Sequence, residues 1–274
     1  MPIIMDAELK NRVVLVTGAS GGIGAEIVRA FHAEGARVVA HFGSQPAPAR
    51  QLAQELGERC TALGADLTRE KDVAELFAAT QNLWGAVEIL IANAGRWPPE
   101  HLSVESMSLE RWRATLDANL TTAFLCMREF MRGIRGQGLT NPAAVLIGST
   151  AAMVGEAGHA DYAAAKAAIT YGFVQSLKNE MCRLTPRGRV NVICPGWTLT
   201  PRVANVTQDQ ARMRRVLQTI PLRKIARPKD VAMAAVFLAS DRLSGHLTGQ
   251  VIPVSGGMEG RVLYQPEEID TSGA

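Results

Sequence analysis

The chain has 274 residues, 47% of them hydrophobic and 20% charged, the balance of an ordinary soluble globule able to bury a substantial core. Its net charge of +3 includes no long basic run, so no nucleic-acid partner is expected, and no apolar run approaches the ~20 residues that span a bilayer. Cys60, Cys126, Cys182 and Cys194 are scattered, with no CxxC and no histidine at metal-ligand spacing, and read as reduced thiols; no metal is expected. The opening MPIIMDAELKNRVV lacks a charged leader ahead of an apolar stretch, so the expected location is the cytoplasm.

Short apolar runs recur along the chain: RVVLVTG (12–18), ARVVAHF (36–42), CTALGAD (60–66), VEILIANAG (87–95), AAVLIGST (143–150), RVNVICPG (189–196) and GQVIPVSGG (249–257). They are near-continuous rather than alternating, as parallel strands covered on both faces are, and they end in turn residues. Segments of helical spacing separate them; Ile23, Ile27 and Phe31 share one face. Repeated strand–helix units predict an α/β fold, a Rossmann-type doubly wound parallel sheet of about seven strands with helices on both faces. No repeat or low-complexity linker divides the chain, so one domain over 1–274 is expected. Two stretches break the rhythm: RWPPEHLSVESM (96–107), and a long excursion over 197–228. Both follow strand ends, where such folds bind ligands. Residues 259–274 read as a tail.

VTGASGGIGAEI follows the first strand and opens the first helix. Gly18 permits a sharp turn, while Gly22 and Gly24 let a ligand and the sheet approach the backbone. The helix start then offers N–H groups to a pyrophosphate, so a dinucleotide is the expected ligand, cradled by Gly18, Ser20, Gly21, Gly22, Ile23 and Gly24. Further on, DYAAAKAAIT puts Tyr162 and Lys166 at i and i+4 with only alanines between them, so both reach a common space. A free tyrosine has a pKa of ~10, and a neighbouring ammonium lowers it towards the working range of a proton donor or acceptor.

With these motifs in order, the chain resembles the short-chain dehydrogenase/reductase family over nearly its whole length. TGASGGIG (17–24) matches that family's nucleotide motif, NAG (93–95) its central-strand motif and YAAAK (162–166) its catalytic motif. Ser149 stands thirteen residues before Tyr162, and Asn119 in DANLTTAF, PG (195–196) and LTGQVIPVSGGM match as well. The resemblance implies that Tyr162 exchanges a proton with the carbonyl or alcohol oxygen while Ser149 holds that oxygen. Lys166 then bonds the nicotinamide ribose, and Asn119 keeps a water linked to Lys166. Taken singly, Ser149 reads more readily as a strand-end cap and Asn119 as a helix residue bonding its neighbours; together, at the family's spacing, the catalytic reading prevails. Asn93 is expected to brace the sheet while Ala94 and Gly95 let the ribose pass close. Asp66, with Leu67, matches the aspartate that bonds the adenine amino group, and also reads as an acid near a helix start. Pro195, Gly196 and Thr198 complete the implied cofactor contacts.

An acid after the second strand would grip a ribose 2′-hydroxyl and repel a 2′-phosphate. AHFGSQPAPA (40–49) has none; Phe42 fills that place, Ser44 and the Gly43 backbone can bond a phosphate, and His41 would add charge if protonated. No arginine stands there, Arg50 lying further along the next helix. The missing repulsion favours NADP(H), with NAD(H) the alternative.

The substrate is less legible. Met213, Val216, Leu217 and Ile220 give 197–228 an apolar stripe, read as a lid or as ordinary core, and Trp97 and Trp197 stand past two strand ends. Arg128, Arg132 and Arg135 form one basic helix face, a solvated face, part of a subunit contact, or a dock for an acidic acyl-carrier protein; Arg212, Arg214 and Arg215 are ambiguous in the same way. Within the family the chain looks closest to 3-oxoacyl-[acyl-carrier-protein] reductases, with sugar, polyol or other secondary-alcohol dehydrogenases as the alternative. It departs from many relatives in Ser255, where they carry Asp, and in the tail. A nucleotide sensor without turnover is a third reading, opposed by the complete set Asn119, Ser149, Tyr162 and Lys166. A homotetramer or dimer is implied by resemblance.

Overall fold

The computed structural model describes residues 6–203 and 209–271; the first five residues of the opening segment, 204–208 of the long excursion and the end of the tail lie outside the described residues. Seven parallel strands form one sheet in the order β3-β2-β1-β4-β5-β6-β7: Val13–Val16, Arg37–Phe42, Cys60–Gly64, Ile89–Ala92, Ala143–Ile147, Arg189–Pro195 and Val251–Val254 are β1 to β7. All seven predicted runs therefore form strands, shortened at their ends. Residues 93 and 94 leave the ladder because their N–H groups turn to the Thr17 hydroxyl instead of a strand carbonyl. Pro253, which cannot donate to a ladder, sits in the edge strand β7.

Helices cover both faces. On one, α1 (Gly22–Ala33) and the late helix Pro228–Ala239 pack Ile27, Phe31, Val231 and Val236 against Val14, Val16 and Ile91. On the other, α3 (Glu70–Trp84), α5 (Thr122–Gln137) and α8 (Val174–Leu184) bring Leu76, Met127, Phe130 and Met181 onto Leu15, Leu90 and Leu146. Between α1 and α3, α2 (Pro46–Leu56) follows β2. The strand order reverses between β1 and β4, and their carboxyl ends open the crevice where such sheets hold ligands.

Two helices are interrupted by one wide π turn each. Asp117–Thr121 joins α4 (Leu109–Leu116) to α5, and Ala168–Phe173 joins α7 (Ala160–Ala167) to α8. Such turns gather at functional sites, and Asn119 is buried in the first. Ala151–Val154 forms the short α6, and Gln210–Leu217 in the long excursion forms α9, whose apolar stripe is buried as the spacing predicts. Among the described residues no helix is long and apolar enough to cross a membrane, and no group of His, Cys, Asp or Glu is arranged to hold a metal.

Candidate active site

The ends of β1 and β4 are tied together through a residue that sequence reasoning did not single out. Thr17 Oγ1 accepts from the N–H groups of Asn93 (3.0 Å) and Ala94 (2.9 Å), and Asn93 Nδ2 donates to the carbonyls of Thr17 (2.9 Å) and Gly18 (3.1 Å). Its only sequence signal is its place before Gly18. Gly18 has φ +69°, and a Cβ on Gly24 would stand 2.3 Å from the Gly18 carbonyl oxygen and 2.7 Å from Asn93 Nδ2. Only glycine fits there. Gly21 precedes α1 with no side chain capping it, so the first-turn N–H groups face the crevice end of the sheet, as Ile23 packs inward. Ser20 differs: its hydroxyl donates to the Gln45 carbonyl (2.8 Å), tying the turn to the segment after β2. Thr200 and Pro201 face Gly22 from the other side.

The end of β2 corrects two expectations. His41 is buried, its Nδ1 accepting from the Gly18 N–H (3.1 Å), which leaves Nε2 to donate to the Ala65 carbonyl (3.1 Å). Burial lowers its pKa, so it is a neutral brace for the glycine turn and not a charge for a phosphate. Arg50 is not out of reach: its guanidinium lies over the Phe42 ring, 5.5 Å from the centroid. Ser44 is exposed beside it. Asp66 also departs from the helix-start reading. Its Oδ1 accepts from the N–H (3.0 Å) and hydroxyl (2.7 Å) of Thr68, bonds that hold the carboxyl below its usual range, and α3 starts only at Glu70. Leu67 beside it is buried.

At the carboxyl ends of β4 and β5 the structure brings together Asn119, Tyr162 and Lys166, with Ser149 two residues past the end of β5. Lys166 is buried, and its ammonium donates to the Ile147 carbonyl (2.8 Å) with Nζ 5.8 Å from the Tyr162 ring centroid. Burial lowers its pKa to about 8. Asn119 donates from Nδ2 to the carbonyls of Arg96 and Thr115 (both 2.9 Å) and accepts from the Arg96 N–H at Oδ1 (3.1 Å). Gly95 is the hinge of this group: a Cβ there would stand 2.6 Å from Asn119 Oδ1 and 3.2 Å from Lys166 Nζ. Its missing side chain lets the two converge. Ser149, half-buried, accepts from the Ala151 N–H at Oγ (3.1 Å), holding the start of α6. The next residue's N–H donates to the Pro195 carbonyl (3.0 Å), which sets Ser149 beside the end of β6. Thr198 Oγ1 donates back to the Gly196 carbonyl (3.0 Å), and Ser255 packs 3.0 Å from where a Cβ on Gly196 would stand.

Two clusters around Tyr162 were not foreseen. Asp161 is fully buried; burial opposes its charge, but Thr115 Oγ1 (2.7 Å), Arg111 Nε (2.8 Å) and the Tyr162 N–H (2.9 Å) hold its carboxyl below the usual range. Arg111 continues to Glu100, so one ion ladder joins the 96–107 loop, α4 and α7. Trp97 stacks on His159 with centroids 4.4 Å apart and donates from Nε1 to Glu156 (3.0 Å), clasping that loop to the approach to Tyr162. Arg111 and Asp161 are 50 residues apart and Trp97 and Glu156 are 59, so only the fold pairs them. Trp197, in contrast, bonds through its backbone, accepting from the Ala226 N–H. The basic row on α5 is largely engaged: Arg128 pairs with Glu70 and Glu129, and Arg132 with Glu129.

Comparison with known proteins agrees with this geometry. A family model described as enoyl-(acyl carrier protein) reductase matches residues 18–259. The chain belongs to the short-chain dehydrogenase/reductase family. A 3-oxoacyl-[acyl-carrier-protein] reductase from Synechocystis sp. is 34% identical over 254 residues, 91% of this chain and 98% of that protein. A 3beta-hydroxysteroid dehydrogenase from Eggerthella lenta is 34% identical over 260 residues, 92% of this chain and 95% of its own length. A cis-4-hydroxycyclohexanecarboxylate dehydrogenase from Sinomonas cyclohexanicum is 33% identical, covering 92% of this chain and 98% of itself. As a short-chain dehydrogenase/reductase the chain is an oxidoreductase of carbonyl and alcohol groups that uses a nicotinamide cofactor. The residues present fit that group: the glycine turn leaves space no side chain fills, beside an uncapped helix start.

Proposed function

We propose that this chain reduces 3-oxoacyl thioesters with NADPH, Tyr162 donating the proton to the carbonyl oxygen. The observation that carries the mechanism is the buried Lys166 beneath Tyr162, its position set by Gly95, Asn119 and the Ile147 carbonyl. When bound, the nicotinamide supplies the hydride. Ser149 holds the reacting oxygen, and the Lys166 ammonium stabilises the phenolate left on Tyr162. Asn119 Oδ1, converging with Lys166 above Gly95, orients the path by which Lys166 recovers a proton from solvent. Gly18, Gly22, Gly24, Asn93, Ala94, Pro195, Gly196 and Thr198 bound the nucleotide. Within one dinucleotide-binding domain, the described parts of the excursion, 197–203 and 209–228, form the substrate lid.

For the cofactor, the Arg50 guanidinium on the Phe42 ring supplies a cation where an NAD enzyme would place an acid, which favours the 2′-phosphate. For the substrate, the Synechocystis relative supports the thioester, and the steroid and cyclohexanecarboxylate dehydrogenases support a second reading, oxidation of a ring-borne secondary alcohol. The chain is proposed to act as a homo-oligomer through the helices carrying Asn119 and Tyr162, where Phe124 and Tyr171 are exposed. The exposed Arg135 face is left for an acyl-carrier partner.

Decay of NADPH and NADH absorbance with an acetoacetyl thioester tests this reading. Tyr162→Phe is expected to lower kcat by about a thousandfold with nucleotide binding intact. Arg50→Gln is expected to raise the KM for NADPH about tenfold and leave NADH unaffected, consistent with loss of one ion pair to a phosphate. Turnover of ring alcohols with none of the thioester would establish the second reading instead.

A further inference from the structure

The family match ends at residue 259, yet the chain continues and packs. Gly260, at φ +80°, brings the backbone against α6: a Cβ there would stand 2.9 Å from the Cβ of Val154, five residues after Ser149. The chain then clasps the end of the long excursion. The Leu263 N–H donates to the Gln218 carbonyl (2.7 Å), Gln218 Nε2 donates to the Tyr264 carbonyl (2.7 Å), and the Tyr264 hydroxyl donates to the Pro221 carbonyl (3.0 Å). Beyond them a turn at Pro266–Glu268 delivers Ile269 onto Met213 and Leu217 of α9, the three side chains 4%, 2% and 0% exposed. These residues form a core of their own, apart from the two that flank the sheet.

An eight-residue helix does not hold itself together in water, and α9 depends on whatever covers its apolar face. That cover is the tail, with Ile225 beside it. The stem of the excursion is secured separately, at the cofactor end, where the Leu199 N–H donates to the Ala226 carbonyl (2.8 Å) and Thr200 faces Gly22. We infer that residues 259–271 are an intramolecular strap, spanning from the Ser149 side of the site to α9, and that Gln218, Tyr264 and Ile269 are positioning residues that set α9 over the substrate. Its catalytic consequence rests on the proposed function; its structural consequence does not.

The test uses the full chain without nucleotide or substrate. Arg212, Arg214 and Arg215 are exposed on α9 and are trypsin sites protected only while the helix is folded. Ile269→Asp is expected to speed cleavage at these sites about tenfold while the main thermal transition, which reports the sheet, moves little; Ile269→Leu restores protection. Should Ile269→Asp fail to fold, Tyr264→Phe, which loses one hydrogen bond, is expected to speed cleavage about threefold. In turnover, Ile269→Asp raises the KM for the carbonyl substrate about fivefold with kcat unchanged, the split expected of a residue that positions rather than reacts. Unchanged cleavage in both variants overturns the strap, as does a rise in cleavage only alongside collapse of the main transition. Strap-dependent cleavage in a protein silent towards all ketones would sink the proposed function and leave the strap standing.

Discussion

Replacing Lys166 by methionine separates catalysis from stability. Burial lowers the Lys166 ammonium from its ordinary 10.5 to about 8. A pKa unit is worth about 1.4 kcal/mol, so keeping this charge costs the folded protein about 3 kcal/mol at pH 7. The folded-state pKa lies below the unfolded one, so the native state binds fewer protons in the window between them. Stability therefore rises with pH from about 8 towards 10.5, the cost falling to about 2 kcal/mol at pH 9 and below about 1 kcal/mol at pH 10. Methionine removes the charge but leaves the Ile147 carbonyl without its donor, at about 1–3 kcal/mol, independent of pH. Urea unfolding of both proteins should then show their free-energy difference shifting by about 2–3 kcal/mol in favour of the wild type between pH 7 and pH 10. Turnover should be lost in the variant throughout. Cys194, the titratable neighbour, has its thiol pushed up by burial, and repeating the pair in a Cys194→Ser background removes its share. A difference that stays flat across this range would refute the buried cation, and with it the electrostatic account of Tyr162.

Arg111→Ala leaves the fully buried Asp161 carboxylate without its cation and should destabilise the protein by about 3 kcal/mol, less than a bare buried charge because Thr115 and the Tyr162 N–H remain. Because Asp161 is held below its usual pKa, its contribution is lost as pH falls, and the acid-unfolding midpoint of the variant should move to higher pH, followed by circular dichroism. Gly24→Ala places a Cβ against the Gly18 carbonyl and should weaken NADPH binding at least about tenfold in a fluorescence titration; unaltered affinity would mean the turn is not the cradle.

Much of the site is legible along the chain because its logic is local. A tyrosine and a lysine four apart on a helix must share a face, a glycine turn between an apolar run and a helical pattern must open a crevice, and continuous apolar runs must be covered on both sides. Those relations span a few residues and survive whatever the rest of the chain does. His41 illustrates the limit: one position before a strand end it reads as a possible charge, but the approach of β1 and of Ala65 turns both its nitrogens inward. Arg50 appears distant from Phe42 in sequence, yet a helix folding back over the strand end stacks them.

The sequence alone determined the strands, their parallel order of connection and the spacing of Ser149, Tyr162 and Lys166, since periodicity and turn chemistry act between near neighbours. Only the tertiary structure decided what surrounds them: the Asp161–Arg111 ladder, the Trp97–His159 clasp, the wide turn that buries Asn119, and the tail that closes over α9. Each of these pairs residues fifty or so positions apart, or sets a helix against a neighbour. Burial, charge and hydrogen bonding at such distances depend on which elements the sheet's strand order makes adjacent, and no local pattern encodes that.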